Sequence, residues 1–187
     1  MAIQPIYLYD SPVLRAKTLG VKSPTPELLR LILDMFETMH AARGIGLAAN
    51  QVGRHESVFV VDLSELEDHS GFKPLVMINP DIREYFGDDV PYEEGCLSIP
   101  EIKEEIIRPE RVSVKYLDPN FELHELEAEG LLARVIQHEF DHLNGVFFTD
   151  YLKGLKKKLL MPALKKIKSG DVEADYPIAA VTQPVSL

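Results

Sequence analysis

Apolar positions along the chain fall into two helical stretches and several strand-like ones. From Pro26 to Ala42, Leu28, Leu29, Leu31, Ile32, Met35, Phe36 and Met39 recur at helical spacing. Thr25 stands where an N-cap belongs, and Pro26 suits the first helical position. From Gly130 to Leu143, the residues Leu131, Leu132, Ala133, Val135, Ile136, Phe140 and Leu143 cover most of a helical circumference. That pattern predicts a helix buried in the middle of a domain, with Gly145 as its left-handed cap. Between the two helices, Ser57–Asp62, Leu75–Ile78, Arg111–Tyr116 and Phe121–Ala128 read as strands rich in β-branched and aromatic residues. Asp118-Pro119-Asn120 supplies a hairpin turn between the last two. No helix of useful length separates most of these strands, so antiparallel pairing and an α+β fold class are expected.

Composition adds limits. The chain has 187 residues, 45% hydrophobic and 27% charged, which suits one domain with a substantial core. That domain is expected over residues 1–170. The tail 171–187, with two prolines and little periodicity, is expected to be irregular. No apolar run approaches the roughly 18 residues of a membrane span, so no membrane partner is expected. The start lacks the basic and apolar regions of a signal peptide. The single cysteine, Cys96, cannot form an intramolecular disulfide and fits a reducing compartment. A cytoplasmic location follows as the expectation.

Charge is uneven. The net charge is −10, yet Tyr151–Gly170 carries Lys153, Lys156, Lys157, Lys158, Lys165, Lys166 and Lys168 and no acid. General acidity argues against sequence-specific nucleic-acid binding. The basic segment reads first as the solvated face of a C-terminal helix whose Leu152, Leu155, Leu159, Leu160 and Leu164 pack on the domain. The alternative is a docking face for a polyanion such as the ribosome.

Polar residues on the buried helix carry the chemistry. Gln137-His138-Glu139-Phe140-Asp141-His142 places two histidines four residues apart. A helix advances about 100° and 1.5 Å per residue, so both stand on one face and can bind one ion. Glu139 is then placed to act on a water at the metal. A buried carboxylate and two imidazoles need partners, and a divalent cation with its water supplies them. Catalytic sites use three protein ligands and an open position, and Cys96 in Glu94-Gly95-Cys96-Leu97-Ser98 can be the third. Taken alone, Cys96 reads as a small buried hydrophobe. In Gly44-Ile45-Gly46-Leu47-Ala48-Ala49-Asn50-Gln51, the glycines permit either a close approach to a ligand or a structural turn.

Those three segments, in that order, resemble the signature motifs of the peptide deformylase family, and the likeness in length and element order covers roughly residues 5–165. The resemblance implies antiparallel sheets around the helix that carries His-Glu-x-x-His, with an N-terminal and a C-terminal helix. It implies Cys96, His138 and His142 as ligands of one divalent ion, ferrous iron foremost, with nickel, cobalt or zinc able to substitute. One thiolate and two imidazoles independently suit iron or zinc and disfavour magnesium and calcium. The implied reaction removes the formyl group from formyl-methionyl nascent peptides, releasing formate. Glu139 is then the general base, and the Gln51 amide and the Leu97 backbone N–H hold the oxyanion. Ile45, Gly46 and Gly95 would offer backbone groups to an extended peptide. Ile45, Leu131 and Val135 would line the methionine pocket. Glu94 and Asp141 are expected to support the site without taking part in the chemistry.

Two other classes compete. A metallopeptidase can share the helix motif but usually takes histidine or glutamate as its third ligand. A non-catalytic metal or ribosome-binding module would need a fourth protein ligand or would rest on the basic segment alone.

Overall fold

The computed structural model describes residues 2–180. Residues 181–187, the end of the tail expected to be irregular, lie outside them. Nine elements run in the order α1 (Pro12–Arg15), α2 (Pro26–Ala41), β1 (Gly46–Ala48), β2 (Val58–Val61), β3 (Leu75–Cys96), β4 (Ile99–Leu117), β5 (Leu123–Glu129), α3 (Gly130–Leu143) and α4 (Gly154–Lys168). Short 3-10 turns link several of them.

All five strands form one antiparallel sheet in the order β1-β2-β3-β4-β5. The α+β class and antiparallel pairing hold, as one continuous ladder. The central strands are far longer than their apolar stretches: β3 and β4 continue as a two-stranded ribbon interrupted by four register shifts. Each shift adds local twist and bends the ribbon, so its far end returns to the body of the molecule. Its tip, the tight turn Leu97–Ser98, is thereby brought against α3 and the N-terminal segment.

Local chemistry explains the helix limits. The Thr25 hydroxyl accepts from the Leu28 N–H at 3.2 Å, and Pro26 opens α2. Leu28, Leu31, Ile32, Met35 and Met39 face the core, whereas Leu29, expected among them, is exposed. α3 starts at Gly130 and ends at Leu143, and Gly145 adopts φ 76° beyond it. A Cβ at Gly145 would collide with the Arg15 carbonyl, so the cap is also a close packing point. At the β4–β5 turn, the Asp118 carboxylate accepts from the N–H groups of Asn120 and Glu122 at 2.8 and 3.0 Å. Phe121 sits in that turn at φ 63°, so the last strand begins at Leu123 and not at Phe121 as expected.

One face of the sheet packs on α3 through Phe59, Val61, Met77, Val112, Val114, Ala133 and Ile136. α2 packs with Leu47, Val58, Val60 and Ile78 of the other face. Layering of this kind buries α3 in the centre, which fixes its side chains for the site below.

Candidate active site

Three segments remote in sequence meet beside α3. His138 and His142 lie one helical turn apart, and Cys96 ends β3 opposite them. Cys96 Sγ is 3.1 Å from His142 Nε2, which is 3.2 Å from His138 Nε2. These three donor atoms all fall within 4.8 Å of one another. A thiol and two imidazoles suit a borderline divalent ion, and among the described residues no fourth protein ligand joins them. One coordination position is therefore left for an exchangeable ligand. Burial pushes both imidazoles down. At His138 the bonds to Cys96 and Glu94 reverse the sign, while at His142 the neighbouring His138 charge lowers it further. A cation bound there would compete with a proton for the same lone pairs.

Glu139 stands next to the cluster, 4% exposed, with Oε2 buried and without a hydrogen-bond partner among the described residues. Such an atom costs roughly 1–3 kcal/mol, so the site calls for a ligand water or substrate there. Burial pushes its carboxyl up to about 7, opposed by His138 and aided by Glu94. A Cβ at Gly46 would strike the Glu139 carboxylate and lie 2.9 Å from Val135 Cγ1. The open choice between turn and close approach at Gly46 is decided by that contact: the backbone of β1 lies directly on the acid.

The Gln51 amide has its orientation fixed by chemistry. Ala48 N–H can only donate, and it meets Gln51 Oε1 at 2.8 Å. The amide nitrogen must then face the cluster, where it lies 3.5 Å from Cys96 Sγ and 3.2 Å from Ser98 Oγ. Leu97 occupies the ribbon tip, and its N–H finds no acceptor among the described residues. Asn50 Nδ2 donates to the His142 carbonyl at 2.5 Å, tying the glycine segment to the end of α3.

Glu94 organises the surroundings. One carboxylate oxygen accepts from His138 Nδ1 at 3.0 Å, which turns Nε2 toward the cluster. The same carboxylate accepts from Arg108 at 2.7 and 3.0 Å and from Arg134 at 2.9 Å. Burial pushes Glu94 up, but the His138 and Arg108 hydrogen bonds and the Arg108 charge outweigh it and hold it at about 2. Arg108 also donates to Asp141 at 2.6 Å. Arg108 thus joins Glu94, which bonds His138, to Asp141.

Every other residue singled out from the sequence lines one cleft of about 1230 Å³: Ile45, Gly46, Gly95, Leu131 and Val135, with Gln51, Cys96, Leu97, His138 and Glu139. His142 is the exception, 1% exposed behind the cleft wall. That volume exceeds the roughly 300–1,000 Å³ of small-molecule sites and admits a stretch of peptide. The Ile45 carbonyl already accepts from Asp62 N–H at 3.0 Å, so Ile45 offers the cleft chiefly its side chain. Alternation then points the Gly46 backbone away from β2, on the free edge of the sheet.

Sequence reasoning missed three residues here. Arg134 precedes His138 and His142 at the same four-residue interval, and a charged residue on a buried helix requires a partner. Arg108 carried no local signal. Tyr176, in the tail, donates its hydroxyl to the Leu97 carbonyl at 2.7 Å. Its signal was an alternation of polar and apolar residues from Asp171 to Ile178.

Comparison with known proteins gives a consistent answer. The model of the polypeptide deformylase family matches residues 3–158. The peptide deformylase of Salinibacter ruber is 51% identical over 183 residues, 94% of each chain. That of Cytophaga hutchinsonii is 43% identical over 176 residues, 93% of this chain and 95% of the relative. Among solved structures, a peptide deformylase from Synechococcus elongatus in complex with actinonin matches with TM-score 0.79 and 43% identity, covering 89% of this chain and 86% of that one. A plant peptide deformylase matches with TM-score 0.83 and 34% identity over 90% of each chain. With its three motifs gathered in one cleft on this fold, the chain belongs to the polypeptide deformylase family.

Proposed function

We infer that this chain is a peptide deformylase, a metal-dependent hydrolase that removes the formyl group from the N-terminal formyl-methionine of new polypeptides and releases formate. The observation that carries the residue roles is the convergence of Cys96, His138 and His142 beside an unpartnered buried Glu139. Cys96, His138 and His142 hold the divalent ion. Ferrous iron is our assignment, with nickel, cobalt or zinc as substitutes; the thiolate and imidazole set supports this choice over oxygen-seeking magnesium or calcium. Bound there, the ion supplies Lewis acidity, which eases loss of a proton from water and polarises the formyl oxygen.

The protein's own groups do the rest. Glu139 takes the proton of the attacking water as general base. Oxygen adds to the formyl carbon, and the developing oxyanion is met by the Gln51 amide and the Leu97 N–H. Glu139 returns the proton to the amine as the C–N bond breaks, leaving formate and a free methionyl terminus. The peptide lies extended along the free edge at Gly46 and past Gly95, where the missing side chains allow close approach. Ile45, Leu131 and Val135 receive the methionine side chain. Main-chain pairing is indifferent to sequence, so residues after methionine vary freely.

A cytoplasmic location fits a single free cysteine. Among the described residues no helix is long and apolar enough to cross a membrane. Contact with the ribosome through the lysines of α4 would bring the cleft to nascent chains.

The test is formate release from formyl-Met-Ala-Ser by anaerobically purified protein, beside a Glu139→Ala variant with equal metal content. The variant should be slower by about 10²–10⁴. A parent that releases no formate despite a filled site, or a fully active variant, rejects the reading.

A further inference from the structure

The segment after α4 reaches back to the cleft. Val172, Ala174, Tyr176 and Ile178 are half-buried, and the residues between them are exposed. Val172 and Ile178 pack with the apolar cluster that includes Cys96 and Ile102. The segment is pinned at its far end: Ile6 N–H donates to the Pro177 carbonyl at 2.9 Å, and Ala179 N–H donates to the Ile6 carbonyl at 2.8 Å. The N-terminal segment it joins is bonded in turn to both oxyanion segments. Tyr7 N–H donates to the Gln51 carbonyl and Tyr9 N–H to the Ser98 carbonyl, each at 2.8 Å.

The turn Leu97–Ser98 is consequently held at both of its carbonyls. Tyr9 holds that of Ser98, and the Tyr176 hydroxyl holds that of Leu97 at 2.7 Å. Gln51 Nε2 also donates to Ser98 Oγ at 3.2 Å and the Ser98 N–H to Cys96 Sγ at 3.4 Å. The Leu97 carbonyl belongs to the Leu97–Ser98 peptide and the Leu97 N–H to the Cys96–Leu97 peptide; the two planes meet at the Leu97 Cα, so a rotation of the first is passed to the second and shifts the N–H. The Leu97 side chain packs on the apolar cluster of α2 and lies over Gly44, where a Cβ would come within 2.8 Å of it.

We propose that Tyr176 is a positioning residue for formyl hydrolysis: its hydroxyl fixes the Leu97–Ser98 peptide and, through the shared Leu97 Cα, restrains the preceding peptide so that the Leu97 N–H stays aimed at the oxyanion, and segment 172–178 forms one wall of the peptide cleft. The proposal rests on the deformylase reading and on the role given to Leu97. It concerns residues beyond 158, where the family match ends. The net worth of one neutral hydrogen bond corresponds to roughly a 2–10-fold change in the population of the correct turn, and that sets the size of the effect.

Tyr176→Phe and Tyr176→Ala test it, with the parent assayed alongside on formyl-Met-Ala-Ser at matched metal content. Tyr176→Phe keeps the wall and loses the hydroxyl, so kcat should fall roughly 3–10-fold while KM stays within about twofold. Tyr176→Ala should lower kcat similarly and also raise KM, because the wall is opened. In the zinc-loaded proteins, the Leu97 amide resonance should move in Tyr176→Phe. An unchanged kcat in Tyr176→Phe, a loss carried by KM alone, or an unmoved Leu97 resonance overturns the proposal. A parent without formate release would instead sink the functional reading, so the two failures are distinguishable.

Discussion

α3 and α4 are helices of nearly equal length, 14 and 15 residues, and both carry polar groups at helical spacing, yet they use them in opposite ways. On α3, Arg134, Gln137, Glu139 and His142 are buried; Arg134 and Gln137 donate to protein partners, whereas Glu139 Oε2 and His142 Nδ1 find none among the described residues. On α4 only Leu164 and Ile167 are fully buried, and most of the lysines stand in water. A buried helix cannot leave a polar side chain unexplained, since desolvation is costly. The solvated helix places no such demand, so its charges say little on their own. Function was therefore readable on α3 and ambiguous on α4.

The strongest way to break this contrast is to remove the partner that holds the α3 charges. Glu94→Gln would leave Arg134 buried without its counter-charge and Arg108 with Asp141 alone, a change of the kind that typically costs about 3–5 kcal/mol. Losing its bond to His138 should also weaken metal affinity by about 10–100-fold. Urea unfolding at pH 7 and metal titration read the two effects. The pH dependence has a definite sign, because Glu94 is depressed from 4.5 to about 2 in the folded protein. Its contribution is complete above the unfolded value and is lost as pH falls toward about 2. The stability gap between parent and variant should therefore narrow over that range. A gap that stays constant from pH 5 to about pH 2 would show that the Glu94 charge is not what stabilises the network.

A smaller intrusion tests how closely α3 is fitted to β1. Gly46→Ala drives a methyl group into the Glu139 carboxylate and Val135. Overpacking of this kind costs about 1–3 kcal/mol, and a catalytic group displaced by 1 Å can lose on the order of 10² in rate. Formate release should fall by about that factor while circular dichroism keeps the parent's shape. A variant with parental kcat would mean that Glu139 has more freedom than the contact allows.

What the sequence disclosed follows the same division. α2 and α3 were legible because each has a continuous apolar stripe and local stop signals, Thr25 and Pro26 at one end and Gly145 at the other. The cluster of Cys96, His138 and His142 was legible because Cys96 is the single cysteine and the histidines share a helical face. The β3–β4 ribbon was read only at its base in the sheet, Leu75–Ile78 and Arg111–Tyr116. Its middle, near Glu84 and Asp89, is largely exposed and bulged, so no period-two signal survives there. Arg108 and Tyr176 act through contacts 14 and 79 residues away in sequence, which local patterns do not record. Leu155 and Leu159 went the other way: expected to pack on the domain, they are 71% and 70% exposed, because α4 meets the body along Leu160, Met161, Leu164 and Ile167.

That exposed pair gives the contrast its last and mildest test. Leu155 and Leu159 are one turn apart, with exposed Lys158 between them, on a helix interrupted by Pro162. Pro162 has no N–H to give the Lys158 carbonyl, and the exposed Leu155 and Leu159 leave this face of α4 open to an outside surface. Replacing Leu155 and Leu159 by Gln removes no internal contact of consequence. Stability should change by less than about 0.5 kcal/mol, and tripeptide deformylation should not change. If α4 docks on the ribosome through lysines flanking an apolar strip, the same variant should co-sediment with ribosomes less than the parent does. Equal co-sedimentation at low salt would leave α4 a solvated helix whose charges keep it in water, and would confine the function of the chain to the cleft built around α3.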